Sequence, residues 1–438
     1  MKRAALLLSP LLVLYVWLTL DRAQDQLRKD EPTYVMYAAN LRAGGYAPAG
    51  SECLWAGPGY PLLLAPILAT DRVPFTSVST RTAAKLVNAL LLFCAVLMVR
   101  AAVARYTGPG VASGVALLFG LYWPIYDQLG FMMTEPLAVF LIAGLVLCGS
   151  GFLARGGWGR LLGTGASLGY LALTKVVFGY ALAGGLVLAV MLGVVRRRRM
   201  WWRAAAALLL GLALCTPYLA YTYRITGRPF LWGTSGGMQL YWMSSPQQHE
   251  YGDWVNYVLE GMRDPSDRNP VMQHHAAVFR EAMGYAPANF VAEGHDKLVL
   301  RLGAHQNQVF LDTALDNIRR HPFKFASNWV ANVSRLLTGA PRSYHPQTPE
   351  MVRYLFPNLL LVAWAAFAAA RRPLRAMPGE AWAIGGFGLV YLGGVSLLSC
   401  YPRFLTILGP ILFWWPAVVG SNRTDSGSQG VAQRSTDT

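Results

Sequence analysis

The chain has 438 residues, of which 54% are hydrophobic and only 14% charged, with a formal net charge of +16. A soluble chain carries about 25% charged residues; here the deficit is filled by runs of Leu, Ala, Val and Gly of about 20 residues, long enough to cross a bilayer. The positive excess does not point to nucleic acid, because Arg196 to Arg199 and the Arg371, Arg372 and Arg375 group each follow an apolar run directly and no separate basic face is present.

In chain order, the hydrophobic pattern predicts spans at about 4–20, 82–104, 109–126, 133–154, 161–174, 176–195, 203–222, 351–370, 381–400 and 404–420. The start, Lys2-Arg3 before Ala4 to Leu20, looks like a signal sequence, but no small-x-small cleavage site follows, so an uncleaved first span is expected. The fifth stretch is too short to cross alone if straight, which suggests that it and the sixth form a hairpin or a broken helix. With Lys2-Arg3 on the inside, the clusters Arg100/Arg105, Arg155/Arg160, Arg196–Arg199 and Arg371–Arg375 all alternate to the inside. The expected divisions are residues 1–223, a transmembrane module whose first outer loop is 21–81; 224–350, an outer domain; 351–420, the last transmembrane helices; and 421–438, a disordered cytoplasmic tail rich in Ser, Thr, Gly and Gln.

Two outer segments carry the polar residues. In the first, Pro32 follows acidic Asp30-Glu31 and Gly44-Gly45 lies beyond, which marks a short helix of about 32–43 suited to the membrane interface. Leu62 to Ala69 is too short to cross and reads as re-entrant or interfacial. The second, about 224–350, holds all seven histidines. Leu298, Leu302, Val309, Leu315 and Ile318 recur at helical spacing, and His321-Pro322 breaks that helix before another through Trp329 and Leu336. No HxxH or HExxH spacing occurs, so the histidines read as structural or surface residues rather than metal ligands. Cys94, Cys148 and Cys215 fall in apolar runs; Cys53 and Cys400 would both face outward, where a disulfide between them is conceivable.

Asp30, Glu31, Asp127 and Glu135 map near the outer ends of spans, and Arg81, Lys85, Lys175 and Arg403 map to the same side. Ionisable groups at membrane depth cost several kcal/mol (about 2.5–3.5 at a helix centre on insertion scales) unless paired or solvated, which makes them functional candidates. Carboxylates facing cations at a membrane–water boundary suit group transfer between a lipid phosphate and a water-side acceptor. Against this stand plainer roles: Asp30 or Glu31 before Pro32, and Thr134-Glu135 before Pro136, are good helix starts, while Arg81 and Lys85 could snorkel to headgroups and Arg403 could anchor its helix. Lys175 interrupts an otherwise continuous apolar run. The chain lacks a P-loop, a GxGxxG fingerprint and a GxSxG elbow.

Several segments together resemble the bacterial GT-C glycosyltransferases, the group that includes the protein O-mannosyltransferases and the aminoarabinose transferases of lipid A. Asp30-Glu31-Pro32-Thr33-Tyr34, with Ala38, Leu41, Gly44 and Tyr46, is similar to the family's first outer loop. Pro58-Gly59-Tyr60-Pro61-Leu62-Leu63 resembles the proline-rich start of its interfacial helix, Thr134-Glu135-Pro136 its second acidic position, and Leu173-Thr174-Lys175 its Lys-bearing hairpin. Thr216-Pro217-Tyr218 through Arg224, Gly227 and Thr234-Ser235-Gly236-Gly237 resembles a further stretch, with Tyr218 for the usual Trp and Tyr223-Arg224 for Arg-Asn. Ile318-Arg319-Arg320-His321-Pro322 and Pro402-Arg403-Phe404 also match recurrent positions, the latter replacing the commoner Arg-Tyr.

The resemblance implies an all-α polytopic membrane protein: a GT-C-type bundle of about ten transmembrane helices, with interfacial helices in the first outer loop and a small, mostly helical outer domain. It implies transfer of a sugar from a polyprenyl-phosphate donor to an envelope lipid, polysaccharide or protein acceptor, on the outer face of a bacterial cytoplasmic membrane and with inversion. Asp30 would be the base, with Glu31 as its substitute. Asp127 and Glu135 would orient the acceptor or hold a divalent ion, the one candidate cofactor. Arg81, Lys85, Lys175 and Arg403 would meet the donor phosphate. Membrane lipids are the remaining expected partners, and nucleic acid is not one. A lipid-linked-sugar flippase, or an inactive scaffold of the same fold, are the competing expectations.

Overall fold

Helices form at all ten apolar stretches. The computed structural model describes residues 2–22, 27–68, 78–254, 270–283, 290–291, 299–300, 302–345, 347–348, 353–371, 373 and 376–421. The tail beyond 421, Leu298, Arg372 and Arg375 lie outside them. Apart from a two-residue β pair, β1 (Phe290–Val291) against β2 (Val299–Leu300), the regular structure is helical.

The first half of the chain contributes α1 (Lys2–Asp21), α2 (Glu31–Arg42), α3 (Gly59–Leu68), α4 (Val78–Val103), α5 (Pro109–Leu121), α6 (Trp123–Tyr126), α7 (Thr134–Arg155), α8 (Trp158–Thr174), α9 (Val177–Arg196) and α10 (Arg199–Thr226). Of these, α4, α7, α9 and α10 are long and apolar enough to cross a membrane, and the chain is a multi-pass membrane protein. The second half adds α11 (Gly236–Met243), α12 (Pro270–Met283), α13 (Ala304–Arg320), α14 (Pro322–Thr338), α15 (Leu355–Arg371), α16 (Gly379–Ser396), α17 (Pro402–Thr406) and α18 (Gly409–Val419).

Three differences from the sequence reading have local causes. The span expected at 109–126 is interrupted at Tyr122, whose ψ is 91°, because Pro124 has no N–H to carry the helix on from the Gly120 carbonyl and its ring would clash there. That at 404–420 divides into α17 and α18, each with Pro in its first turn. In the 298–318 pattern the helix begins only at Ala304, after Gly303, whose N–H donates back to the side chain of Gln306 in the first turn at 3.0 Å. The expected short helix is present as Glu31–Arg42, and Leu62 to Leu68 lies within α3, packed against α2, α4 and α8. Cys53 and Cys400 are both buried and are not joined to each other by a disulfide.

The core is one continuous apolar cluster through α1–α10 and α15–α18, and α7 sits deepest, with nearly every residue of its first three turns buried. A second cluster, around Trp242, Phe279 and Phe310, holds α11, α12 and α13 together. Between the two runs α14, which packs on α15, α16 and α17.

Candidate functional site

The predicted carboxylates and cations meet at one end of the bundle, but they divide into three groups. The central group is a chain of four side chains from four segments. Arg403 donates through Nη1 to Asp30 Oδ2 at 2.8 Å, and its Nε lies 3.8 Å from Glu135 Oε1. The same oxygen accepts Lys175 Nζ at 2.9 Å. Glu135 is buried, whereas the Asp30 side chain keeps 35% of its surface accessible. The order Asp30–Arg403–Glu135–Lys175 thus alternates in sign, with Asp30 its most accessible member and Glu135 its most buried.

Local structure aims each member. Asp30 precedes α2, yet its carboxylate makes no capping bond to that helix; the cap reading gives way to the Arg403 pairing. The turn before it places Lys29 at φ +56°, a left-handed conformation that costs a non-glycine residue about 1–2 kcal/mol. Lys29 is held there by Gln128 Oε1, at 3.1 Å, and by the ring of Phe131 beneath its ammonium, 3.8 Å from the centroid. Burial pushes the Lys29 ammonium below its ordinary value and Arg403 adds to the fall, with Asp127, Glu135 and Asp30 opposing.

Lys175 ends α8 in an extended conformation, and α9 starts two residues later, so where the sequence left a hairpin or a broken helix open, the chain breaks at the lysine itself. The break is wedged by the chain ahead of α3. A Cβ on Gly57 would lie 2.2 Å from the Leu173 carbonyl oxygen, and one on Gly59 would lie 2.4 Å from Thr174 Oγ1. Only glycine permits that approach.

Arg403 begins the short α17, and the strand of chain before it is fixed by the polar face of α14. Asn332 donates to the carbonyls of Ser396 and Leu398, at 2.7 and 2.6 Å, and accepts the Cys400 N–H at 3.1 Å. Fully buried Arg335 donates to the Cys400 carbonyl at 3.0 Å, and to Tyr251 and Pro341 carbonyls on its other side.

The second group is Glu31 and Lys85, buried 3.6 Å apart. Glu31 also accepts the Arg28 N–H at 2.7 Å and the Met132 N–H at 2.8 Å. It therefore ties the 28–31 turn to the 128–133 loop, and Lys85 faces this carboxylate rather than the central group. Arg81 stands one turn earlier on α4, half-buried. The third group surrounds Asp127 at the rim: Tyr354 Oη donates to it at 3.0 Å, and Arg353 and Arg22 approach to 3.3 and 3.7 Å. Asp127 and Glu135, paired in the sequence reading, serve different groups.

Lys29, Gln128, Arg353 and Asn332 were missed from sequence; Lys29, beside Asp30-Glu31, was the one with a visible signal. A divalent ion does not fit this arrangement. Both central carboxylates are already engaged by cations, and among the described residues no three His, Cys, Asp or Glu side chains group as a metal site.

Away from this end, His275 is buried between Tyr241 Oη, 2.6 Å from Nδ1, and Glu250 Oε1, 2.8 Å from Nε2. Tyr344 donates to the same carboxylate oxygen at 2.9 Å. Burial raises the affinity of Glu250 for its proton, but the His275 bond and charge with bonds from Ser245 and Tyr344 outweigh it, leaving the carboxyl below the usual range. A depressed carboxylate contributes stability above its unfolded pKa and loses it as pH falls through the folded one. Wild-type melting temperature is therefore expected to fall on acidification through the ordinary glutamate range near about 4.3, and Glu250→Gln to flatten that limb. Melting curves across the range, followed by tryptophan fluorescence, check this.

No protein-family model matches the chain, and no curated protein matches it in sequence. Solved structures similar to it include an oligosaccharyltransferase of Archaeoglobus fulgidus, AglB, in complex with an inhibitory peptide and a dolichol phosphate. That match has a TM-score of 0.49 and 10% identity, covering 94% of this chain and 49% of the other. The same organism's oligosaccharyltransferase in the apo form gives 0.49 and 12%, covering 94% and 50%. ArnT of Cupriavidus metallidurans, bound to undecaprenyl phosphate, gives 0.40 and 15%, covering 95% and 76%. The chain spans about half the length of the oligosaccharyltransferases it matches. At these scores and identities no residue correspondence follows, and the charge groups stand on this chain's own geometry. The likeness to these solved structures runs over nearly the whole of this chain, at 94–95% of its length.

Proposed function

We propose that the chain is a membrane glycosyltransferase that moves a sugar from a polyprenyl-phosphate donor to an acceptor at the outer face of a bacterial cytoplasmic membrane. The observation that carries this is the alternating chain Asp30–Arg403–Glu135–Lys175, whose accessible end is a carboxylate. A carboxylate at a water-facing rim suits a base, and cations behind it suit an anionic leaving group.

In the proposed step, Asp30 takes the proton of an acceptor hydroxyl or amine as that atom attacks the anomeric carbon. The bond from this carbon to the phosphate oxygen breaks with its electron pair, the configuration inverts, and polyprenyl phosphate leaves. Arg403 and Lys175 meet the charge gathering on the leaving phosphate, and Glu135 holds both cations in place. The sugar–phosphate bond stores the driving force, so the step needs no nucleotide. The geometry favours Asp30 over Glu31 as base, because Glu31 is enclosed by Lys85 and two backbone N–H groups. Asp127, Arg81 and Lys85 then support the fold around the site.

Purified protein in lipid discs, given radiolabelled polyprenyl-phosphate sugars and an envelope fraction, is expected to transfer label to an acceptor. No transfer from any donor, together with donor movement across liposomes, would replace this reading with the flippase. Lys175→Met is expected to slow transfer about 10²–10³-fold, the size found when one preorganised donor to a developing anion is removed. Saturation kinetics check it, and an unchanged kcat would remove Lys175 from the phosphate role.

A further inference from the structure

Helix α14 reverses the usual amphipathic arrangement. In a water-soluble domain the apolar stripe of a helix faces the core and the polar stripe faces water. Here Lys324, Asn328, Asn332 and Arg335, spaced at helical intervals, form a stripe that turns inward. Lys324 donates to the Glu250 carbonyl at 2.5 Å, Asn328 to the carbonyls of Met243 and Ser245 at 3.1 and 2.9 Å, and Asn332 and Arg335 to the 396–400 segment. The opposite stripe carries Phe323, Ala326 and Val330, all exposed, Phe323 to 90% and Val330 to 62%. Both charges between 322 and 338 belong to the inward stripe.

The position of α14 says what meets that face. Its Leu337 carbonyl accepts Asn358 Nδ2, one turn into α15, so its C-terminal end lies level with that helix. Trp329 donates its indole N–H to Ser396 Oγ at the end of α16, at 3.1 Å, while its ring is exposed. Both neighbours are apolar helices with bare outward faces: Phe356, Leu359, Leu360 and Val362 on α15, Leu389 and Val390 on α16. The exposed stripe of α14 continues a lipid-facing surface, and a tryptophan with its N–H satisfied and its ring bare is typical of a membrane interface.

We propose that α14 lies in the bilayer at the boundary of headgroups and acyl chains, with lipid acyl chains covering Phe323, Ala326, Trp329 and Val330. The segment 224–350 would then be partly membrane-embedded, which goes beyond the transferase reading and does not depend on it. Because the same helix fixes the chain ahead of Arg403, the lipid surface would reach the candidate site through a single helix.

Nitroxide scanning of the reconstituted full chain tests this. Ala326→Cys and Val330→Cys would be introduced singly into a version whose five native cysteines are replaced, then placed in phosphatidylethanolamine–phosphatidylglycerol vesicles. Accessibility to oxygen and to a water-soluble nickel chelate would be compared with Leu389→Cys as the lipid reference and Asp316→Cys as the water reference. Oxygen-rich, nickel-poor ratios near the Leu389 value are expected at both positions. Ratios near the Asp316 value would overturn the proposal, and so would shielding from both reagents, which would place a second copy of the chain on this face. Independently of labelling, brominated lipid should quench the wild type more than Trp329→Phe; equal quenching would count against the proposal.

Discussion

Asp30→Asn is expected to reduce sugar transfer by about 10²–10⁴-fold, the range that a positioned general base supplies, while leaving the melting temperature within a few degrees of wild type. The amide keeps the size of the carboxylate but cannot take a proton from the acceptor. Its loss of charge is tolerable to the fold because the Asp30–Arg403 pair is partly solvated, with 35% and 28% of the two side chains accessible, and such pairs add little to stability. Arg403 also keeps Glu135 at 3.8 Å. Single-turnover transfer with preloaded donor isolates the chemical step. Transfer at the wild-type rate would remove Asp30 from the role of base. Lost transfer with an equal loss of melting temperature would show instead that the pair is a structural bridge.

The neighbouring residue is expected to behave in the opposite way. Glu31→Gln or Lys85→Met should each destabilise the protein by about 3–5 kcal/mol, because removing one partner takes the close counter-charge from a buried ion. Both side chains are almost wholly enclosed, at 1% and 2% accessible. Glu31 also accepts two backbone N–H groups, from Arg28 and Met132, so Gln forfeits part of a charge-assisted network as well as the ion pair. The double variant should recover part of the loss, since an uncharged pair needs no compensation. Melting curves of the four proteins in one detergent form the cycle. Wild-type stability in either single variant would contradict the buried-pair account.

The contrast between residues 30 and 31 also marks where sequence stops being informative. Both precede Pro32 at the start of one helix, and each is a chemically adequate cap or base. What separates them is the loop around Met132, about a hundred positions away, which claims Glu31 and leaves Asp30 to Arg403. The helices at the apolar stretches were legible because each run is apolar, and four of them are long enough to cross a membrane. Lys175 was legible because it interrupts one. Asp127 and Glu135 have different partners because nearness along the chain does not say which side of a rim a residue reaches; Tyr354 and Arg353, which hold Asp127, come from another part of the chain. The sequence marked α14 as a helix after the His321-Pro322 break, but not which of its faces meets the interior, because that depends on what lies outside it.

The contact between Arg403 and Asp30 joins residues 373 positions apart in the chain. It therefore imposes an order on biogenesis. A growing chain that has delivered its first ten helices to the membrane already contains Glu31 with Lys85 and Glu135 with Lys175, and those pairs can form early. The proposed base and its arginine cannot meet until α16 has been inserted and α17 has followed it. The Asp30–Arg403 pair is thus completed late, with α18 alone of the described helices still to follow, and a chain stopped before α17 presents Asp30 without its arginine.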